Sequence, residues 1–305
     1  MSARVARLAL LASICGMLAA CGSSPTRERA RGTSPAVSSG TQASGEFRDD
    51  VELPQSRRYR QQEDSTPDGA GIDIASLPEP VPRAEPRARY GNKSPYTVRG
   101  ETYRVLPTAA GYDERGIASY YGSKFHGYMT SDFEKYDMYA FSAASKVLPL
   151  PSYARVTNLE NGKSVIVRIN DRGPFAENRI IDLSYAAAVR IGIWPKGTGL
   201  VEVRGIDPAR WHAEPELPPT VTAQAGGAPK LYLQVGAFGD PANAERLAQR
   251  LRGQDVGAVR VVDAQVGGRD LKRVQIGPLA DADAADRVTE KISAMGLPHA
   301  QVAVQ

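Results

Sequence analysis

Few residues of this 305-residue chain can do covalent or metal chemistry. There are two cysteines, Cys15 and Cys21, and three histidines, His126, His212 and His299. Two thiols near the N-terminus build neither a disulfide scaffold nor a cysteine-rich zinc module. Histidines so far apart in sequence lack the spacing of a zinc site. Metal, nucleotide and phosphate motifs are absent, so no metal and no cofactor is expected. What remains for chemistry is the carboxylates. Lys and Arg number 38 against 34 Asp and Glu, a net charge of +4. That balance is wrong for a protein that binds through counterion release, so nucleic acid is not an expected partner.

The elements that must position any reacting groups fall in two stretches. Residues 1–20 hold Arg4 and Arg7, then an apolar run from Leu8 to Ala20, too short for a comfortable membrane span. From Gly22 to about Asn92 the chain is rich in Ser, Pro, Gly, Arg and Glu without apolar periodicity, and is expected to be disordered. Its Arg57, Arg58 and Arg60 read as solvated linker charge. A second linker, 207–229, carries Pro208, Pro215, Pro218, Pro219 and Gly226-Gly227.

Between the linkers the pattern is mostly β. Ala154–Leu159 and Ser164–Asn170 flank a turn with Asn161-Gly162, a strong hairpin signal. Ser184 is placed to cap a short helix, Tyr185–Ile191, that stops at Gly192, and Gly199–Arg204 is a closing strand. A small closed barrel is expected.

The last block repeats itself. Leu233-Gln234-Val235-Gly236 matches Val274-Gln275-Ile276-Gly277 at an offset of 41 residues, and Ala244, Arg246, Leu247 and Leu251 match Ala285, Arg287, Val288 and Ile292 at the same offset. Each half reads strand, helix, strand. Asp240 caps the first helix ahead of Pro241. Two such halves predict a four-stranded antiparallel sheet with both helices on one face, the ferredoxin-like βαβ–βαβ arrangement. An RNA-reading sheet of that topology needs exposed aromatics on its strands, and only Tyr232 and Phe238 are available.

Three resemblances follow from these residues. Leu18-Ala19-Ala20-Cys21 ahead of Gly22 resembles a bacterial lipobox. It implies a signal peptide of 1–20, lipidation at Cys21 and, with Gly22 next, an outer-membrane anchor facing the periplasm. Residues 230–305, through Gln234, Gly236-Ala237-Phe238 and Arg273-Val274-Gln275-Ile276-Gly277-Pro278, resemble the SPOR domain. That implies binding of septal peptidoglycan glycan strands stripped of stem peptides, with Gln234 on the open sheet face. Gly116–Gly122, Leu148–Leu159, Arg168–Phe175 and Arg179–Ser184 resemble the rare lipoprotein A (RlpA) family, whose core is a six-stranded double-psi β-barrel, here 93–206. Lipobox, tether 21–92, barrel and SPOR domain also stand in that family's order.

The RlpA resemblance implies a peptidoglycan lytic transglycosylase. A carboxylic acid protonates the glycosidic oxygen, the muramic C6 hydroxyl closes on the anomeric carbon, and no water is consumed. Residue by residue it implies three candidate carboxylates. Glu134 lies in Thr130-Ser131-Asp132-Phe133-Glu134, Asp171 in Asn170-Asp171-Arg172-Gly173-Pro174-Phe175, and Asp182 ahead of Leu183-Ser184, as in related expansin-type barrels. Each has a structural alternative: Glu134 as a solvated loop acid, Asp171 pairing with Arg172 or capping the turn, Asp182 assisting the cap at Ser184. Tyr121, Tyr136 and Arg172 are expected to contact sugar. Ser145 stands where the family commonly has His, and Phe133 where it has a small residue. Two functions follow: a periplasmic lytic transglycosylase, or a non-catalytic lipoprotein tethering the outer membrane to the septal wall. Expected partners are glycan strands, the outer membrane through the lipid, and division proteins.

Overall fold

The computed structural model describes residues 49–50, 52–53, 55–60, 63–66, 72–211, 228–298 and 300–305. The expected signal peptide, Cys21 and residues 212–227 of the second linker lie outside them. A short helix α1 (Gln55–Arg58) and a ribbon of β1 (Tyr96–Val98) and β2 (Glu101–Tyr103) precede the barrel.

The barrel is built from β3 (Asp113–Tyr121), β4 (Ser142–Ser145), β5 (Ser152–Asn158), β6 (Ser164–Asp171), β7 (Arg179–Ser184) and β8 (Gly199–Gly205). They close in the order β3-β7-β4-β6-β5-β8, the double-psi arrangement. β3 and β7 pair in parallel, as do β4 and β6, and the remaining neighbours are antiparallel. Alternation in these strands sends Ala143, Ile169, Ile181, Leu183, Val201 and Val203 inward, each 1% exposed or less. Each of the larger ones contributes about 1.5–3 kcal/mol by leaving water. Between β5 and β6 the chain turns through residues 159–163, with Gly162 at φ +76, a left-handed position that glycine takes without steric cost. Helix α2 (Tyr185–Arg190) starts at Ser184, whose Oγ accepts the Ala187 amide as expected.

The C-terminal domain is β9 (Leu231–Phe238), α3 (Pro241–Arg252), β10 (Val259–Val266), β11 (Arg269–Leu279), α4 (Ala282–Ala294) and β12 (Gln301–Val304). Its sheet order β10-β11-β9-β12 is the ferredoxin-like one, and all pairs are antiparallel. Asp240 and Asp281 cap the two helices through the amides of Ala242 and Ala284. Leu233, Leu251, Val274, Ile276 and Ile292 are fully buried between sheet and helices. A bulge between Val274 and Gln275 turns Gly236 toward the helices, where a Cβ would meet Phe238 at 2.7 Å and Leu247 at 3.5 Å.

The tether boundary at 92 is corrected. Within the described residues the chain before 93 is bonded to the barrel. Glu79 accepts the Ile166 amide (2.9 Å), the Ala88 amide donates to the Leu150 carbonyl (2.9 Å), and Asn92 Oδ1 accepts the Leu150 amide (2.9 Å). Glu85 pairs with Arg168 at 3.1 Å. Arg58 is not solvated linker charge: it pairs with Asp49 and donates to the Met129 carbonyl. A segment without apolar periodicity is held here by hydrogen bonds to the barrel and by a few scattered apolar contacts, Ile74, Leu77 and Ala88 on the barrel core, which composition alone does not display.

Candidate active site

An open cleft of ≈ 570 Å³ runs across one side of the barrel, and Asp171 and Asp182 both line it. Register brings them together. Ala144 on β4 pairs with Asp171 of β6 on one side and with Asp182 of β7 on the other. The two backbones are thus two strand spacings apart, about 10 Å. Ala144, with a single methyl, leaves the space between them open to the cleft. Gly173 keeps it open from above: its φ is +147, and a Cβ would lie 3.7 Å from Ala144 Cβ and 4.0 Å from Asp182 Oδ2.

The two carboxyls are held differently. Asp171 Oδ1 accepts three donors: the Ser131 amide (2.8 Å), Ser131 Oγ (2.6 Å) and the Arg172 amide (2.7 Å). Asp182 Oδ1 accepts one, from Ser119 Oγ, its register partner on β3. Burial pushes both carboxyls above the ordinary range, against the pull of these donors. Arg179 and Lys146 also favour the charged form of Asp182, while the Asp171 charge opposes it. Two neighbouring acids with raised pKa and unequal donor sets can divide acid and base roles. Tyr59, Tyr120, Phe125, Phe133 and Phe175 supply aromatic surface along the cleft, the kind of surface on which a sugar ring stacks.

Residues 113–204 match the lytic transglycolase family, and residues 227–303 match the SPOR domain. A Pseudomonas aeruginosa protein named endolytic peptidoglycan transglycosylase RlpA is 38% identical over 312 residues, covering 83% of this chain and 84% of that protein. The chain belongs to the RlpA family. A Vibrio cholerae RlpA is 49% identical over 149 residues, 49% of this chain and 56% of its own length. A crystal structure of the RlpA SPOR domain from Pseudomonas aeruginosa is 34% identical over 24% of this chain and 96% of that one, with a TM-score of 0.23.

Against what the RlpA resemblance implied, the structure unites two of the three carboxylates. Glu134 is not in the cleft. Its carboxylate takes both guanidinium nitrogens of Arg168, at 2.5 and 3.0 Å, in a separate hollow beside Phe141 and Asn170. The loop before it turns the other way, carrying Ser131 to Asp171 and Phe133, at φ +70, to the cleft. Tyr136 is corrected from sugar contact to core. It is 2% exposed, stacks on Tyr121 at 4.2 Å, and donates its hydroxyl to the Tyr121 carbonyl at 2.6 Å. Tyr121 keeps an edge on the cleft but is itself 8% exposed, too little for a sugar to stack on its face.

Arg172 lines the cleft, and its guanidinium donates to the carbonyls of Gly91 (2.7 Å), Ser145 (2.9 Å) and Leu148 (2.5 Å). Ser145 is buried, and its Oγ accepts the amides of Val147 (3.3 Å) and Leu148 (3.1 Å). It caps the turn that follows β4. Gln234 is half-buried on the sheet face away from the helices, in register with Gln275 on β11 and Gln301 on β12. Gln275 Oε1 accepts Arg260 at 2.8 Å, and Arg260 lies 3.6 Å over the Tyr232 ring.

The sequence reading missed Ser119 and Ser131, the hydroxyls that hold the two aspartates, and Arg58, Tyr59 and Asp64, which reach the cleft wall from the chain before the barrel. Ser119 carries no local signal, because its role exists only through the parallel β3–β7 pairing.

Proposed function

We propose that this chain is an endolytic peptidoglycan lytic transglycosylase. The observation that carries the reading is the pair of half-buried aspartates flanking Ala144 in an open, aromatic-lined cleft. Asp182, with a single hydroxyl donor, is the acid. Its proton passes to the glycosidic oxygen as the bond from the muramic anomeric carbon breaks. Asp171, held by three donors that favour the anion, faces the oxocarbenium-like charge and takes the C6 hydroxyl proton as that oxygen closes on the anomeric carbon. Atoms balance without water, and the product carries an anhydro end. Tyr120, Phe125 and Phe133 stack on the sugars.

The finer reading places the enzyme on the periplasmic face of the outer membrane through lipidated Cys21, with the SPOR domain concentrating it on septal strands that lack stem peptides. The family relation and the row Gln275-Gln234-Gln301 on the sheet face away from the helices support this. Ser145, in place of the family's His, favours a second reading, a lipoprotein that binds the wall without cutting it. The test is digestion of amidase-stripped glycan strands by wild type and by a combined Asp171→Asn, Asp182→Asn chain. Release of shorter strands by wild type alone supports catalysis. Equal sedimentation with sacculi and no release from either supports the binding reading.

A further inference from the structure

The C-terminal domain is seated on the barrel, and the contact ends beside the cleft. Ile117 alternates with the inward Ala118 on β3 and so points out of the barrel, yet it is 1% exposed, because it is packed into the apolar cluster of the C-terminal domain. Leu200, its register partner on β8, packs against the same cluster. A polar clamp lies next to this patch. Asn178 takes a left-handed φ of +63 just before β7 and donates Nδ2 to Asp286 Oδ1 (2.9 Å) and to Thr289 Oγ1 (2.9 Å), both on α4. Thr289 is only 2% exposed. Asp286 Oδ2 reaches the guanidinium of the next residue, Arg179, at 3.8 Å.

Arg179 is where the clamp meets the site. It opens β7, three residues before Asp182, and lines the cleft with it. Its backbone carbonyl accepts Lys146 Nζ at 2.7 Å, while its side-chain Nε is buried without a partner. Of the other cleft arginines, Arg58 is committed to Asp49 and Arg172 to three carbonyls, while Arg99 donates to the Phe175 carbonyl at 3.4 Å and does not share the β7 strand with Asp182. A guanidinium on the cleft wall, held only by a carboxylate at 3.8 Å, suits a planar anion that arrives with the substrate.

We propose that the C-terminal domain docks on the barrel as a positioning element, with Asp286 and Thr289 of α4 holding the Asn178-Arg179 corner so that Arg179 binds a carboxylate of the glycan beside Asp182. The inference rests on the transglycosylase reading for its substrate. A glycan strand carries such a group on the lactyl ether of each muramic sugar once the stem peptide is removed, and an amide in its place when the peptide is present. Asp286 is a positioning residue acting through Arg179.

Two measurements on the full chain test this. The first, hydrogen exchange, reads docking alone. In wild type the amides of 178–180, ahead of the stretch of β7 that is paired on both sides, share protection with α4, and a combined Asp286→Ala, Thr289→Val chain loses it at 178–180 while the barrel strands β5 and β6 stay protected. Unchanged exchange at 178–180 overturns the docking, whether or not the chain cleaves glycan. The second reads kinetics on stripped and on peptide-bearing strands. Losing a hydrogen bond to a charged group predicts a KM for stripped strands raised about 10–100-fold in Arg179→Gln. A smaller rise in the same direction is expected in Asp286→Ala, with recovery in Asp286→Glu. Peptide-bearing strands should be affected little. Equal effects on both substrates, or none, overturn the role given to Arg179. Absence of cleavage by wild type refutes the function instead, and leaves the exchange result standing.

Discussion

Changing Asp182 to Asn keeps the shape of the side chain and removes its proton chemistry, so activity and stability should move in opposite directions. Ser119 Oγ can still donate to the remaining carbonyl oxygen, and the register with Ala144 and Ser119 is untouched. A positioned general acid contributes about 10²–10⁴ in rate, or roughly 3–5 kcal/mol of barrier. Stability follows from the sign of the shift. Burial raises the carboxyl above its ordinary value of 3.8. Between that value and the raised one the folded chain binds more protons than the unfolded chain, so folding stability falls as pH rises through the window. Above the window the wild type carries a half-buried charge that the Asp182→Asn chain lacks. The neutral hydrogen bond left to Ser119 is weaker by about 1 kcal/mol, which offsets part of that relief. Asp182→Asn should therefore cleave at least about a hundredfold more slowly, while its melting temperature relative to wild type rises as the buffer goes from acid to neutral. The assay is release of soluble fragments from stripped glycan, with melting curves across pH. Cleavage within a few-fold of wild type would refute the acid assignment. A melting difference independent of pH would refute the burial argument.

Other outcomes follow from particular contacts. Ser131→Ala removes the hydroxyl at 2.6 Å that holds down the Asp171 pKa, so the acidic limb of the pH–rate profile should move to higher pH. Tyr136→Phe deletes a buried hydrogen bond to the Tyr121 carbonyl and should lower stability in urea by about 1–3 kcal/mol without changing glycan affinity. Gly173→Ala puts a side chain at φ +147 and should cost about 1–3 kcal/mol by the same measurement. Cys21→Ser should shift the chain from the detergent phase to the soluble periplasmic fraction on phase partitioning.

The barrel and the C-terminal domain were legible because their signals are local. Alternation along β5, β6 and β8, the Ser184 cap, and the 41-residue offset between Gln234 and Gln275 all lie within reach of a short window. The site is less local. Asp171 and Asp182 become a pair only through Ala144 on a strand between them, and Ser119 joins Asp182 from 63 residues away. Glu134 shares a motif with Ser131, yet their side chains part, because Arg168 draws one out of the cleft and Asp171 draws the other in. Tyr121 and Tyr136 look alike as stacking platforms or core in sequence, and only their mutual 4.2 Å stack decides it. The segment before the barrel has the composition of a tether, but Glu79, Glu85 and Asn92 find partners on β5, β6 and the turn before β5 that no property of the segment itself announces.

The central claim is that the Asp171–Asp182 cleft closes the muramic C6 hydroxyl onto the anomeric carbon without water. Digestion of amidase-stripped glycan strands by the full chain in oxygen-18 water, read by mass spectrometry of the new ends, tests it most directly. The account predicts anhydro ends free of label from wild type and none from the Asp171→Asn, Asp182→Asn chain. Reducing ends that carry the label, or anhydro ends that persist in the double variant, would contradict it.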